Sequence, residues 1–126
     1  MARITGLGGI FYKAADPART QTWYQETLGI GGEWGAMFPW KQDATGEAYS
    51  LLSPFKPETD YFAPSDAGFM INLRVDDLAA FLEELKAKGV EILGTEDEDY
   101  GKFAWILDCD GIKVELWEQV GPAPGA

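Results

Sequence analysis

The sequence predicts an α+β protein made of two tandem βαβββ modules, and three observations lead to this prediction. Two helix signals repeat: Asp16 and Asp76 stand 60 residues apart at helix starts, and Gly29 and Gly89 show the same spacing at helix ends. A strand near the C-terminus alternates apolar and polar residues from Ile112 to Leu116. The length of 126 residues suits one domain or two very small halves.

The first module is predicted to span residues 1–52. A glycine-rich strand is expected over residues 4–13, followed by a helix that begins with Asp16 as N-cap and Pro17 at its first position. Gly29 ends this helix. Two further strands are expected, at residues 34–40 and 47–52.

An inter-module linker is predicted at residues 53–67, where three prolines interrupt a stretch without periodicity. Its Tyr61-Phe62 pair could fold over a cavity as a wall. The second module, residues 68–120, begins with the clearest strand of the sequence, Phe69–Val75. We expect residues 121–126 to form a disordered tail.

The second helix is predicted to begin after Asp76 or Asp77 and to end at Gly89. Two strands should follow it, at residues 90–94 and 103–108. The acidic run at residues 96–99, between these strands, is expected to be a solvated loop, with a docking site as the alternative.

The final hairpin is the most informative stretch. Asp108-Cys109-Asp110-Gly111 has the composition of a tight turn, and the residues after it alternate in polarity. One face of the strand should pack against the core, namely Ile112, Val114 and Leu116. The opposite face carries Lys113, Glu115 and Trp117, so a carboxylate lies two residues from a large aromatic ring.

The composition excludes several classes of function. A formal charge of −11 disfavours nucleic acid and anionic membranes as partners and favours a cationic ligand, although acidity can also serve solubility alone. The absence of histidine excludes a Ser-His-Asp triad and a His-paired thiol, and it leaves only oxygen atoms or one sulfur to hold a divalent metal. Cys109 is the single cysteine, and no signal peptide or membrane-spanning run is evident, so we expect a cytoplasmic protein.

Four stretches, spread over nearly the whole chain, resemble one known family. They are Gly9-Ile10-Phe11 through Asp16-Pro17, Trp23-Tyr24-x-x-x-Leu28-Gly29, Asn72 to Asp77 with Lys88-Gly89, and Asp108-x-Asp110-Gly111-x-Lys113-x-Glu115-Leu116. The family is the vicinal oxygen chelate superfamily, which includes glyoxalase I, extradiol dioxygenases, and fosfomycin- and bleomycin-resistance proteins. The resemblance implies sheets that form a cupped cavity and a homodimer. It leaves open whether the modules pair within one chain or between chains.

Enzymes of that family hold a divalent metal with four side chains, and the resemblance places these positions here at or near Gly9, Ser50, Met70 and Glu115. Only Glu115 is an acid of the kind the family uses. A single carboxylate with a serine falls short of a catalytic metal site, so we expect no metal or other cofactor.

The predicted ligand-binding site is the cupped face of the sheets, with Glu115 as its one candidate catalytic residue. Its other candidates are aromatic or polar residues of the same predicted strands, namely Phe11, Trp34, Phe38, Trp40, Ser50, Met70, Asn72, Arg74 and Trp117. Alternatively, Glu115 is a solvated surface acid that pairs with Arg74 or Lys113.

Three functions are compatible with the sequence. The leading hypothesis is a metal-independent protein that binds a small cationic or aromatic molecule, as in the bleomycin-resistance branch. The second is a lyase or isomerase of the glyoxalase type, which would use Glu115 as acid/base or metal ligand. The third is a dimeric interaction domain without a ligand.

Overall fold

Two helical segments and one four-stranded sheet form the described structure, so the protein is of the α+β class. This computed structural model describes residues 10, 12–33, 35–38, 48–51 and 53–122. Among those residues, no helix has the length and apolar character needed to cross a membrane.

The sheet comes from the second half of the chain and has the βαβββ arrangement expected there. Its elements are β1 (Ile71–Arg74), α2 (Leu78–Ala87), β2 (Gly94–Glu98), β3 (Gly101–Leu107) and β4 (Lys113–Gln119). The strand order is β1-β4-β3-β2, with β1 parallel to β4 and the other neighbours antiparallel. The parallel pair is possible because α2 carries the chain across from one edge to the other.

One face of the sheet packs on α2 and forms the core. Alternate residues of β3 and β4 point towards the helix, and four of them are at most 1% exposed: Ala104, Ile106, Val114 and Leu116. Leu85 of α2 is fully buried in the same cluster. Burying a side chain of this size stabilises the fold by about 1.5–3 kcal/mol. A one-residue shift of a strand would expose its apolar side chains, so this energy determines which residues of the strand face away from the helix.

The first helix forms as predicted. α1 (Pro17–Trp23) begins with Asp16, whose side chain accepts a hydrogen bond from the Arg19 backbone N–H at 3.2 Å. It continues as a π-helical turn (Tyr24–Leu28), and Gly29 ends it with φ of +74°. In the second module, Asp77 rather than Asp76 is the N-cap of α2.

The hairpin turn before β4 is also the docking point of the first helix. Asp108 is buried, and its Oδ1 accepts hydrogen bonds from the Asp110 and Ile112 backbone N–H groups at 2.8 and 2.9 Å. Its Oδ2 accepts one from the Tyr24 hydroxyl at 2.6 Å. Thr20 and Arg19 both donate to the Asp110 carboxylate. The predicted turn is therefore confirmed, and it also holds the two halves of the chain together.

Two predictions for the second half were wrong. The strand expected at residues 90–94 lies instead at Gly94–Glu98, so most of the acidic run is strand rather than loop. The pairing with β3 determines this position of the strand. Its pairs extend from Glu98 opposite Gly101, next to the turn, to Gly94 opposite Trp105. The acidic side chains are exposed on an edge strand, where charge is tolerated.

The predicted strands of the first module are not seen in its described residues. Residues 12–14, 35–38 and 48–51 adopt no strand, and Gly35 has φ of +104°, which interrupts an extended run. Most of the predicted 4–13 strand, and residues 123–126 of the tail, lie outside the described residues. The division of the chain into two modules and a linker stays a prediction.

Candidate binding site

Glu115 lies in the middle of β4, on the sheet face turned away from α2. Its cross-strand neighbours are Asn72 on β1 and Trp105 on β3, so the three side chains form one row across the sheet. Glu115 is 7% exposed, which is unusual for a glutamate on an outward-facing strand position. We call this surface the Glu115 face; its strand residues are Asn72, Arg74, Phe103, Trp105, Lys113, Glu115 and Trp117.

Both oxygens of Glu115 accept hydrogen bonds. Oε1 accepts from the Asn72 side-chain amide at 2.7 Å. Oε2 accepts from the Trp105 indole N–H at 2.7 Å and from the Tyr61 hydroxyl. Three uncharged donors therefore replace the water that a surface carboxylate would bind, which is what makes its burial tolerable.

Tyr61 reaches the sheet from the irregular segment of residues 53–67. Its ring lies edge-on to Trp105, with centroids 6.0 Å apart, and stacks on Phe55 at 5.5 Å. Phe62 packs on Phe55 in turn. Burial, together with the hydrogen bond to the Glu115 carboxylate, raises the pKa of the Tyr61 hydroxyl well above its usual value. This residue therefore stays a hydrogen-bond donor throughout the physiological range.

Lys113 is held between the segment and the sheet. Its Nζ donates to the Tyr61 backbone carbonyl at 2.5 Å and lies 5.1 Å from the Tyr61 ring centroid and 5.5 Å from that of Trp105. Burial lowers the pKa of Lys113, while the nearby Glu115 and Asp60 carboxylates act in the opposite direction. The Tyr61 and Trp105 rings therefore already contact one cation, the protein's own Lys113 ammonium.

A second row runs beside the first, from Arg74 through Trp117 to Phe103. The Arg74 guanidinium lies 5.8 Å from the centroid of the Trp117 ring, and the Tyr49 ring contacts Trp117 edge-on at 5.0 Å. Phe103 and Trp105 lie nearly parallel, at an interplanar angle of 10°. Aromatic rings therefore flank the buried carboxylate along β3 and β4.

The structure brings together some of the predicted site residues. Asn72, Arg74 and Trp117 lie on the Glu115 face, and Asn72 contacts Glu115 directly. Met70 is half-buried just before β1, whereas Phe38 and Ser50 are exposed. Three predicted residues lie outside the described residues: Phe11, Trp34 and Trp40.

Trp105, Phe103 and Tyr61 also lie at the Glu115 face, and none of them was among the predicted site residues. The first two could have been found, because antiparallel pairing about the turn at residues 108–111 places Trp105 opposite Glu115 and Phe103 opposite Trp117. Tyr61 was expected only as a wall over a cavity. Its hydrogen bond to Glu115 spans 54 residues and has no local sequence signal.

The implied metal-ligand positions do not fit a divalent metal. Ser50 is exposed, Met70 supplies a thioether, and Glu115 is surrounded by N–H and O–H donors rather than by further acceptors. Hard divalent cations need several oxygen donors, and a zinc site needs at least three protein ligands, usually including nitrogen or sulfur. Within the described ranges, no three His, Cys, Asp or Glu side chains are grouped so that they could hold a metal ion. Gly9 lies outside those ranges.

Comparison with known proteins identifies the family of this chain. A family model described as Glyoxalase/Bleomycin resistance protein/Dioxygenase superfamily matches residues 6–116. A search of curated proteins gave no significant match.

Several solved structures share the fold at low sequence identity. TnmS3, an antibiotic binding protein from Streptomyces sp. CB03234, is 23% identical, with a TM-score of 0.59 over 94% of this chain and 99% of that one. An integron cassette protein from the mobile metagenome of V. cholerae is 17% identical, with a TM-score of 0.58 over 94% and 98%. A superfamily member from Sphaerobacter thermophilus DSM 20745 is 18% identical, with a TM-score of 0.52 over 84% and 90%.

Proposed function

This chain belongs to the glyoxalase/bleomycin resistance protein/dioxygenase superfamily. We propose that it binds a small planar aromatic molecule on the Glu115 face, without a metal ion. The observation that carries the proposal is the buried Glu115 carboxylate, which uncharged donors surround and aromatic rings flank. An apolar surface with a few fixed polar groups is typical of small-molecule sites.

The charges of the site favour an uncharged ring, with an aromatic cation as the second choice. The net charge of −11 attracts cations at long range and repels anions. Close to Glu115, however, Lys113 and Arg74 already supply two positive charges over aromatic rings. A ligand cation would therefore meet like charge at contact, whereas a neutral ring would stack without this cost.

The geometry favours binding over catalysis. A lyase or isomerase would need Glu115 to take a proton from a substrate, but both of its oxygens already accept hydrogen bonds from residues that are not acids at neutral pH. TnmS3, which shares the fold, is an antibiotic binding protein, so a binding function is compatible with this architecture.

Metal independence is part of the proposal and is tested separately. The donor set around Glu115 lacks the further acceptors that a divalent ion needs. Elemental analysis of protein purified without added metal should find less than one-tenth equivalent of any divalent ion. A near-stoichiometric content would contradict this part of the proposal.

We also propose that the protein is a homodimer. Three large apolar side chains from the described parts of the first half are strongly exposed: Met37, Phe38 and Leu51. Apolar side chains in such numbers are often covered by a second subunit. Sedimentation equilibrium should give twice the chain mass of 13.9 kDa. A mass equal to one chain at micromolar concentration would refute the dimer.

The binding proposal is tested by isothermal titration calorimetry at pH 7 with three naphthalene probes that differ in charge. These probes are 2-naphthol, 2-naphthylmethylamine and 2-naphthoate. We expect saturable binding of the neutral probe, weaker binding of the cation and none of the anion. Glu115→Gln should weaken binding of 2-naphthol, and Glu91→Gln, at an exposed position outside the site, should not. Absence of binding, or equal affinity in Glu115→Gln, would overturn the proposal.

A further inference from the structure

We infer that Tyr61 is a specificity-determining residue that competes with the ligand for Glu115. A ligand would then bind by displacing the Tyr61 side chain, and it must supply an N–H or O–H donor of its own. This inference rests on the proposed function, because it names the class of aromatic ligand that the Glu115 face selects.

Of the three donors to Glu115, Tyr61 is the one whose backbone the sheet does not fix. Asn72 and Trp105 lie on β1 and β3, where the sheet ladder fixes their backbone. Tyr61 belongs to a segment without helix or strand, and its aromatic neighbour Phe55 is 47% exposed. Tyr61 can therefore leave together with its segment, whereas Trp105 and the exposed Asn72 can leave only by rotating their side chains on a fixed backbone.

The segment around Tyr61 has mainly local backbone hydrogen bonds. Thr59 bonds to Lys56, Ala63 to Asp60 and Ser65 to Phe62, and each of these bonds closes a turn within the segment. These bonds do not tie the segment to the sheet. The Lys113 ammonium does so, because it donates to the Tyr61 backbone carbonyl.

The requirement for a donor follows from the burial of Glu115. When Tyr61 leaves, Oε2 keeps the Trp105 indole N–H but loses the hydroxyl. An aromatic ring that covers the carboxylate without replacing this donor would leave a charged oxygen under-satisfied in a dry site, which is costly. Tyr61 itself is a phenol, so phenols and aromatic rings with an N–H group are the chemical class that fits.

The test is a comparison of two probes and three proteins by calorimetry at pH 7. The probes are 2-naphthol, which has a donor, and 2-methoxynaphthalene, which has none. The proteins are the wild type, Tyr61→Phe and the control Tyr100→Phe, whose tyrosine packs on Phe103 but is 53% exposed. We expect Tyr61→Phe to bind both probes about tenfold more tightly than the wild type does. This factor corresponds to the loss of one competing hydrogen bond, from the Tyr61 hydroxyl to the charged Glu115. Tyr100→Phe should change neither affinity.

Different results would refute the competition by Tyr61 and the requirement for a hydrogen-bond donor on the ligand. Unchanged or weaker binding in Tyr61→Phe would overturn the competition, while leaving the proposed function intact. Equal affinity of the wild type for both probes would overturn the requirement for a donor, which predicts about a tenfold preference for 2-naphthol. If neither probe binds any of the three proteins, the proposed function itself fails.

Hydrogen exchange of the wild type gives a second readout that needs no variant. Saturating 2-naphthol should speed amide exchange at residues 59–65, because displacement of Tyr61 opens their turns. Slower or unchanged exchange in that segment, with the probe bound, would show that the ligand does not displace Tyr61.

Discussion

The Trp105 indole N–H and the Glu115 carboxylate face each other across the β3–β4 hairpin, with 2.7 Å between nitrogen and oxygen. Glu115 is only 7% exposed in this pair, although it lies on the sheet face turned away from α2. The polarity of the pair is therefore not explained by exposure to water. It is the feature on which both the proposed binding and the competition by Tyr61 depend.

Removing the Glu115 side chain should destabilise the protein. Glu115→Ala leaves the Asn72 amide, the Trp105 indole and the Tyr61 hydroxyl without their acceptor, and we expect a loss of about 2–4 kcal/mol in the free energy of unfolding. Urea denaturation measures this loss. Glu91→Ala, at an exposed position, should stay within about 0.5 kcal/mol of the wild type. A similar small effect for Glu115→Ala would mean that its hydrogen bonds are not formed in solution.

A methyl group at position 101 should be poorly tolerated. The Cβ of Gly101→Ala would lie 2.5 Å from Trp117 Nε1 and 2.8 Å from its Cδ1, so the indole must move. We expect a loss of about 1–3 kcal/mol in stability and a shift in tryptophan emission.

Gly94→Ala is the matched control for this change. It adds the same methyl group to the neighbouring strand, where the new Cβ would lie 3.7 Å from the Trp105 ring, an ordinary van der Waals distance. Its stability should stay closer to that of the wild type. Equal losses for the two variants would show that strand propensity, rather than contact with Trp117, decides the cost.

The hydrogen bond from Tyr24 to Asp108 should stabilise the junction between the first helix and the hairpin turn. Tyr24→Phe removes a donor 2.6 Å from a buried carboxylate oxygen, and we expect a loss of about 1–3 kcal/mol. Thermal denaturation of this variant beside Tyr100→Phe provides the comparison, since Tyr100 is exposed. If the two variants melt together, the junction contributes little stability.

The free energy of unfolding should fall as the pH rises above about 10. Burial and hydrogen bonds to Asp108 and Glu115 raise the pKa values of Tyr24 and Tyr61 above the ordinary 10.0. Above that pH the unfolded chain loses these protons while the folded protein keeps them, so unfolding becomes more favourable. The lowered pKa of Lys113 acts in the opposite direction near the same pH. Burial also raises the pKa values of Tyr12 and Cys109, and these two groups add to the loss.

Urea midpoints between pH 8 and 11 measure this dependence. The Tyr24→Phe and Tyr61→Phe variants should each lose stability less steeply than the wild type above pH 10, because each lacks one late-titrating hydroxyl. A midpoint that stays constant to pH 11, or slopes identical in all three proteins, would contradict the assignment of the two tyrosines.

The second half of the fold was predictable because its signals are local. Strict alternation from Ile112 to Leu116 fixed the buried face of β4, and Gly89 marked the end of α2. β2 was misplaced because its acidic residues carry no apolar alternation; the pairing with β3 alone sets its position. Edge strands of this kind are stabilised by backbone hydrogen bonds to the neighbouring strand, and these bonds do not require a particular pattern of side chains.

The residues of the Glu115 face could be predicted only in part, for a similar reason. The alternation of single strands placed Glu115, Asn72 and Arg74 on one face. Trp105 required the register between two strands, and Tyr61 required a contact from a segment without periodicity. The alternation of polarity within one strand indicates on which face of the sheet a residue lies. The residues it contacts depend in addition on strand register and on the packing of loops.

Binding on the Glu115 face can be observed directly by nuclear magnetic resonance of the tryptophan indole N–H groups during a titration with 2-naphthol. Trp105 and Trp117 lie on the Glu115 face, whereas Trp23 packs among the helices and the core on the other side of the sheet. We expect the Trp105 and Trp117 signals to shift saturably and the Trp23 signal to stay unchanged. Shifts confined to Trp23, or saturable binding without any change at Trp105, would contradict the assignment of the site.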